Sequence, residues 1–500
     1  MDHPDPTQLA AARRAADEGY RRYPLSRELY ADQRTPVELL RVLQQRSERC
    51  FLLESAEDAR TWGRYTFLGC SPELEVTARD QVLTIHTPGQ PDETRTIDHP
   101  VAVLQEILEA HRSPRVPELP PFTGGFVGHF AYDFLGYAEP TVQFRTPNPH
   151  GLGDLDLMLF PDVIAYDNFR QRIVLISNMD LTADLTTAAE SATERLRHLA
   201  EALTADPAPR ARGRMLTPLR NEFTEAEFGQ VVETVKTHIR EGDIFQAVVS
   251  TAQTAPFEGS LLDTYRVLRT QNPSPYMFYI RARDVEIAGA SPETLVRLDD
   301  GVLRTFPLAG SRPRGATPAE DAALEAELRA DPKELSEHNM LVDLGRNDLG
   351  RVSDYGSVKV EAHLQVLRYS YVMHLGSTVS GRLREDLGAL DALQAVLPAG
   401  TLSGAPKVRA CQIIDQVERS RRGVYGGAIG YLGFSGSLDT CIAIRLAYVA
   451  DSTVIVRSGA GIVADSDPVT EYQESVNKAK AVVVALETAQ KGIDDARLDR

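Results

Sequence analysis

Between residues 276 and 306 the chain has room for four strands and for no helix among them. YMFYIR (276–281), VEIAG (285–289), TLVRL (294–298) and VLRTF (302–306) are short runs rich in β-branched or aromatic residues, separated by three or four residues. Parallel neighbours need a crossover of a dozen residues or more, so strands this close in sequence pair antiparallel. That excludes a doubly wound fold and predicts an α+β chain. Earlier runs at Phe51–Leu53, Leu74–Thr77 and Ile173–Ile176 read as strands too, and Ile244–Ser250 as another.

Helices enter with clear start signals. Thr224 and Glu227 form a capping box, and Phe228, Val231, Val232, Val235 and Ile239 repeat at helical spacing until Gly242. Asp331-Pro332-Lys333-Glu334 combines an N-cap, Pro at the first helical position and an acid in the first turn. Asp467-Pro468 starts the last helix, with Tyr472, Val476, Ala479 and Val483 as its apolar stripe. Three Pro-rich stretches, 112–121, 204–220 and 311–319, read as linkers, the second as the best boundary. The chain of 500 residues then divides into an extension (1–25), an N-terminal part (26–205), a linker (206–222) and a C-terminal part (223–490).

Charge and cysteine count exclude several functions. The formal net charge is -17, against a general nucleic-acid binder, and any anionic ligand would need its own local cations. Cys50, Cys70, Cys411 and Cys441 form no CxxC pair and no disulfide framework. No apolar leader or spanning run is visible, so a reduced, cytoplasmic protein is expected.

Two helices each carry a pair of glutamates, Glu334/Glu337 and Glu471/Glu474, at a spacing that puts both on one face. They are solvated charge faces or a hard-cation site for Mg²⁺, which takes carboxylate oxygens. A di-iron site would want ExxH, and Glu337-His338 has the wrong spacing.

Gly400-Thr401-Leu402-Ser403-Gly404-Ala405-Pro406-Lys407 lacks P-loop spacing but precedes a helix, so it is an anion site with Thr401, Ser403 and Lys407, or a plain turn. Gly459-Ala460-Gly461, after a strand at Val454–Arg457, allows close approach of a ligand or only tight packing. Arg445 lies in an apolar strand, Cys441–Ala447, where a cation wants an acidic partner or an anionic ligand. Gln246, Glu293 and His374 each read first as satisfied structural groups, Gln246 a buried amide, Glu293 a turn carboxylate and His374 a core histidine.

Together these segments resemble the chorismate-utilising enzyme family, and within it the anthranilate synthase branch. The motifs are LLES (52–55), GDIFQ (242–246), NPSPYMFY (272–279), ASPETL (290–295), FPLAGSRPRG (306–315), ELSEHNMLVDLGRNDLGRV (334–352), VMHLGS (372–377), PAGTLSGAPKVRA (398–410), YGGAIGY (425–431), AIRLA (443–447), GAGIVADSDP (459–468) and EYQESVNKAKA (471–481). The resemblance implies two large antiparallel sheets packed face to face with helices outside, the N-terminal part packed closely on the catalytic one. It implies Mg²⁺ on Glu337 and Glu474, with Glu334 and Glu471 beside them. Glu293 would protonate the departing C4 hydroxyl of chorismate, and His374 and Thr401 would serve catalysis, His374 in the later elimination. Gln246, Gly310, Ser311, Gly404, Tyr425, Arg445, Gly459, Ala460, Gly461 and Lys478 would bind substrate.

The same resemblance sorts the reaction. Branches that activate water or form a covalent adduct place lysines where this chain has Gln246 and Ala309, and neither an amide nor a methyl group can serve. Ammonia is the nucleophile left, giving 2-amino-2-deoxyisochorismate and then, by loss of pyruvate, anthranilate, the first step towards tryptophan. The alternative is an enzyme that stops at the amino intermediate. No Cys-His-Glu glutaminase is present, so a separate glutamine amidotransferase subunit would supply ammonia. Leu53, Glu54, Ser55, Asn272, Pro275, Tyr276 and Met277 match the family's tryptophan feedback site. The chain departs from the pattern at Ser311 (commonly Thr), at His129 (commonly Tyr) and over its first 25 or so residues.

Overall fold

A computed structural model describes residues 5–56, 62–209, 211–368 and 372–492. It is an α+β fold built on two antiparallel sheets, one of 13 strands and one of 12. The four runs that fixed the fold class form strands at Tyr276–Arg281, Glu286–Ser291, Thr294–Asp299 and Val302–Thr305. The first two pair with each other and so do the last two, but the hairpins belong to different sheets.

The sheets pack face to face. Phe51, Phe278, Ile280 and Tyr448 of one meet Val127, Met158, Phe160 and Ile429 of the other in one buried cluster. Helices cover the outer faces: Leu185–Ala202, Leu262–Gln271 and Pro468–Lys491 on the 13-stranded sheet, Val101–Ala110, Pro332–Gly350 and Ala389–Val396 on the other. Both sheets run across the expected boundary at 206–222. Cys50–Glu54 pairs with Tyr276–Arg281, and Gly125–Phe130 with Ala428–Gly433, so the two halves of the chain share their cores. Within residues 1–25, a helix at Pro6–Asp17 capped by Asp5 buries Ala12 and Ala15.

The helix starts form as the sequence dictates. Thr224 and Glu227 cap the helix Glu225–Arg240 reciprocally. Asp331 accepts from the backbone of Lys333 and Glu334, and Asp467 from that of Thr470. Three local expectations are corrected. Residues 311–313 are not linker but the end of a strand, Leu308–Pro313, paired with Val372–Arg382. Gly459-Ala460-Gly461 does not follow the strand but lies within it, because Thr453–Ile462 carries straight through, in register with Val248–Ser250. Arg445 is not inside a strand: strands end at Ile442 and restart at Leu446, and Arg445 sits between them with φ +51°. Among the described residues no helix is long and apolar enough to cross a membrane.

Candidate active site

The chain changes sheets twice at one corner. After Ser291 it leaves the 13-stranded sheet and joins the 12-stranded one at Thr294; after Ile442 it leaves the 12-stranded sheet and rejoins the other at Leu446. Pro292 has no N–H to continue the ladder, which favours a break there. The two crossings are bonded to each other: Ile442 N–H donates to Glu293 O (3.0 Å), Ala290 N–H to Arg445 O (3.1 Å) and Ser291 Oγ to Ile442 O (2.7 Å). Glu293 and Arg445 therefore come from distant parts of the sequence to one point, held by backbone.

That corner forms one wall of a cavity of about 690 Å³. Of the residues singled out from the sequence, Gln246, Glu293, Glu337, Thr401, Tyr425, Arg445, Gly459, Gly461, Glu471, Glu474 and Lys478 line it. Burial pushes the Glu293 carboxyl up to about 7, against smaller opposing effects of Thr401 and Arg445. Thr401 Oγ1 donates to Glu293 Oε1 at 3.4 Å, a long bond. Burial lowers Arg445, and Glu293 counters it. The corner thus holds a carboxyl poised near neutrality beside a guanidinium exposed to the cavity, an arrangement that marks reactive sites.

The opposite wall is acidic. Glu337 from one helix and Glu471 and Glu474 from another face the same space. Burial raises Glu337 first, with Glu334 and Glu474 adding like charge; burial likewise raises Glu471. Two lysines intervene: Lys333 lines the cavity, and Lys478 lies 2.7 Å from Glu474 and donates to Gly459 O at 3.3 Å. Their oxygens do not all lie within 4.8 Å of one another, so they form no closed three-carboxylate cage; as hard oxygen donors from two helices they suit a divalent cation such as Mg²⁺ that fills its remaining positions with water or substrate. The di-iron alternative fails on geometry, because buried His338 turns to Ser377 Oγ (2.7 Å).

Several expected site residues stand outside the cavity. Glu334 lies 3.5 Å from the guanidinium of Arg312. His374 Nδ1 bonds Gly310 O at 2.9 Å, and Ser311 is paired with His374 across the strands, so these three line up beside the cavity and not on it. Burial lowers His374, leaving it neutral at pH 7. The backbone at Gly404 pairs with Ala247, where a Cβ would meet Gln246 O at 2.2 Å, so this glycine is needed for strand contact. Gly459 likewise admits no Cβ, which would meet Val249 O at 2.4 Å, and Ala460 is buried in a separate apolar cluster. The expected anion site at Ser403 and Lys407 is corrected as well. Ser403 bonds Ala399 O (2.8 Å), Lys407 pairs with Asp348 (3.1 Å), and neither reaches the cavity.

The loop that carries Thr401 is held by a buried charge network the sequence did not advertise. Arg422, 1% exposed, donates to Leu402 O (2.6 Å), Val248 O (2.5 Å) and Glu418 (2.6 Å). Glu418 in turn accepts from Ser250 N–H (2.7 Å) and Arg457 (3.4 Å). Glu418 and Arg422 are four residues apart, and sequence alone gives such a pair no mark beyond that of a solvated ion pair.

A second, small cavity of about 70 Å³ is walled by Leu53, Glu54, Ser55, Pro275, Tyr276 and Met277, with Asp439 and Cys441 behind them. Asn272 is not among its walls; it caps the helix Leu262–Gln271. Glu54 is engaged by Tyr265 and by Arg269 (2.6 Å). Tyr276 OH donates to Asp439 Oδ1 (2.8 Å) and bonds Thr294 Oγ1 (3.0 Å), next in sequence to Glu293.

Comparison with known proteins agrees with this geometry. The family model described as chorismate binding enzyme matches residues 86–484. This chain belongs to that family. It is 42% identical over 490 residues to anthranilate synthase component 1 of Pseudomonas aeruginosa, covering 96% of this chain and 99% of the relative. To the same-named protein of Acetivibrio thermocellus it is 42% identical over 481 residues, covering 94% and 96%. The crystal structure of anthranilate synthase component I from Streptococcus pneumoniae superposes with a TM-score of 0.73 at 38% identity, covering 84% of this chain and 92% of that one. The menaquinone-specific isochorismate synthase of Escherichia coli shares the fold (TM-score 0.69, 22% identity, 96% and 99% covered).

Proposed function

We propose that this chain is the synthase subunit of an anthranilate synthase, aminating chorismate at C2 with ammonia and eliminating pyruvate. The observation that carries the reading is that Gln246 and Ala309 both line the cavity. These are the positions at which the resemblance leads one to seek a lysine in the branches that use water or a covalent enzyme adduct. Without a base or nucleophile there, the attacking group must arrive from outside, and ammonia needs no deprotonation to attack.

Glu293, about half protonated at pH 7, gives its proton to the C4 hydroxyl as that group leaves as water, while ammonia adds at C2 and the ring double bonds shift. Thr401 orients the carboxyl. Arg445 holds a carboxylate of the dianionic substrate, where exclusion of water strengthens the pair. Mg²⁺ would be held by Glu337 and Glu474 with Glu471 alongside, and supplies positive charge to a substrate carboxylate. Loss of the C2 proton and of the enolpyruvyl group as pyruvate then yields anthranilate, with His374 as the nearby base. A second reading, release of 2-amino-2-deoxyisochorismate, is favoured by one observation: His374 stands outside the cavity, on Gly310 O.

Ammonia would come from a glutamine amidotransferase subunit. Cys50, Cys411 and Cys441 are buried and burial raises all three thiols, so none is an activated nucleophile. Tryptophan would inhibit from the small cavity at Leu53–Ser55 and Pro275–Met277. At about 70 Å³ that cavity is well under the roughly 300 Å³ of an open ligand pocket, so binding must move its walls.

The test is to incubate the purified chain with chorismate, Mg²⁺ and ammonium and to follow anthranilate fluorescence. Product formed from ammonium but not from glutamine supports the reading. No fluorescence, with the amino intermediate detected by mass, supports the second reading; neither product refutes both.

A further inference from the structure

Arg422 bonds more than an ion-pair partner. Its Nε and Nη2 grip the two oxygens of Glu418 (3.0 and 2.6 Å), while Nη1 donates to Leu402 O (2.6 Å) and Nη2 to Val248 O (2.5 Å). The guanidinium lies 4.2 Å over the ring of Tyr132. Tyr448 OH donates to the carbonyl of Arg422 itself (3.2 Å), so its backbone is tied as well as its head group. Apolar residues of similar volume often replace a buried ion pair at no loss of stability. The reason for a buried charge here is therefore to be sought in what its bonds connect.

They connect two walls of the candidate active site. Val248 lies two residues from Gln246 in the strand Gln246–Glu258, and Leu402 follows Thr401 in the turn Gly400–Leu402. All four residues line the large cavity, and Arg422 does not. The ladder between the two segments runs from Gln246 opposite Ala405 to Val248 N–H on Ser403 O (2.8 Å). Leu402 and Thr401 lie one and two residues further along, where Arg422 takes up the Leu402 carbonyl. These acceptors stand on different sides of one planar fork. A guanidinium satisfies all of them from one position, and the single nitrogen of an ammonium cannot.

The place of Thr401 bears on the acid. Its hydroxyl reaches Glu293 Oε1 at 3.4 Å, so a displacement of a few tenths of an ångström breaks the bond. That bond opposes the burial that raises Glu293, and Arg445 is the charged group that opposes it too. We propose that Arg422 is a positioning residue for the acid step: it fixes Leu402 O against Val248 O, and through that backbone the Thr401 hydroxyl on Glu293. The inference rests on the reading of Glu293 as the acid.

The test is the pH dependence of kcat/KM for chorismate, with Mg²⁺ and a constant concentration of free ammonia. It compares the full chain with Thr401→Val, Arg422→Lys and the double variant. Loss of the Thr401 bond raises Glu293, so in Thr401→Val the fall in activity should begin about half a pH unit or more higher. Arg422→Lys keeps the charge and loses the fork, and its profile should move by the same amount. Its kcat should drop at least about tenfold with KM for chorismate within about twofold. In the double variant the profile should move no further than in Thr401→Val. Glu418→Asp shortens the carboxylate that grips Arg422 and removes no charge; it goes through the same cycle, with circular dichroism as the check on folding. A folded variant with the wild-type profile, or one that moves equally with and without Thr401, would overturn the role of Arg422 and leave Glu293 as the acid. If both variants are unfolded, the network serves stability alone and the proposal falls. A wild-type profile flat from pH 7 to 9 removes the acid and this inference with it.

Discussion

Glu293→Gln should stabilise the folded chain while removing its activity. Burial holds the Glu293 carboxyl at about 7 against an ordinary 4.5. The gap of about 2.5 pH units corresponds to about 3 kcal/mol, at about 1.4 kcal/mol per unit. The folded pKa is raised, so the folded chain holds this proton more tightly than the unfolded one. Below about pH 4.5 both states carry it and the group costs nothing. The penalty grows as pH rises from there and is complete above about pH 7, when both states have lost it. Glutamine is neutral throughout, so the variant should exceed the wild type by under about 1 kcal/mol at pH 5 and by about 3 kcal/mol at pH 8.5. Urea unfolding at the two pH values, with m unchanged, measures this. On the activity side, wild-type kcat/KM for chorismate should fall about tenfold per pH unit above about pH 7, as the acid loses its proton. Glu293→Gln should lose at least about a hundredfold at and below pH 7, with the gap to the wild type narrowing above it. An equal stability gain at both pH values, or wild-type activity flat from pH 7 to 9, would refute the assignment of a poised acid.

Four further outcomes are expected. His374→Ala should keep amination and lose elimination, so that mass detection finds the amino intermediate in place of anthranilate; full anthranilate output would show that His374 is not the base. Tryptophan should bind the wild-type chain by calorimetry, and Ser55→Ala should weaken it by about tenfold, the size of one lost hydrogen bond to a charged group; no binding at all would dispose of the feedback site. Glu418→Gln should cost about 3–5 kcal/mol in urea, because it leaves Arg422 and Arg457 buried without their counter-charge. Chelation of Mg²⁺ should cut chorismate affinity at least tenfold by calorimetry.

What the sequence made legible is what is local. Helix starts were plain because a cap depends on residues three positions apart, as in Thr224 with Glu227 and Asp331 with Glu334. The antiparallel hairpins were plain because short connections permit nothing else. The corner was not legible. Cys441–Ala447 is apolar and β-prone around Arg445, so nothing local marks the change of sheet; its place is set by hydrogen bonds to Glu293 and Ala290, some 150 residues away. The strand ends at Ile462 and not at Arg457 for a related reason, since only the register with Val248–Ser250 reveals that it continues through Gly459–Gly461. The ExxE spacing correctly put two glutamates on one helix face, but which of them faces the cavity depends on outside partners. Arg312 draws Glu334 away.

The charge balance of the cavity argues for a divalent cation independently of the donor set. Arg445, Lys333, Lys478 and Arg457 supply four positive charges to its walls, and Glu337, Glu471, Glu474 and Glu293 four acidic groups. Arg457 is already matched by Glu418 (3.4 Å) and Lys478 by Glu474 (2.7 Å). Glu293 is about half protonated at pH 7, which leaves Arg445 free to hold one carboxylate. Glu337 and Glu471 then stand unmatched except by Lys333, so a dianion would enter a space with no surplus of positive charge, in a chain at -17. A divalent cation on Glu337 and Glu474 reverses that balance and frees Lys478 at the same time. Chorismate binding measured by calorimetry should therefore weaken at least about tenfold in EDTA, and Glu474→Gln should require more Mg²⁺ for half-maximal binding. Equal chorismate affinity with and without chelator would mean that Arg445 and the lysines suffice, and that the acidic wall has another purpose.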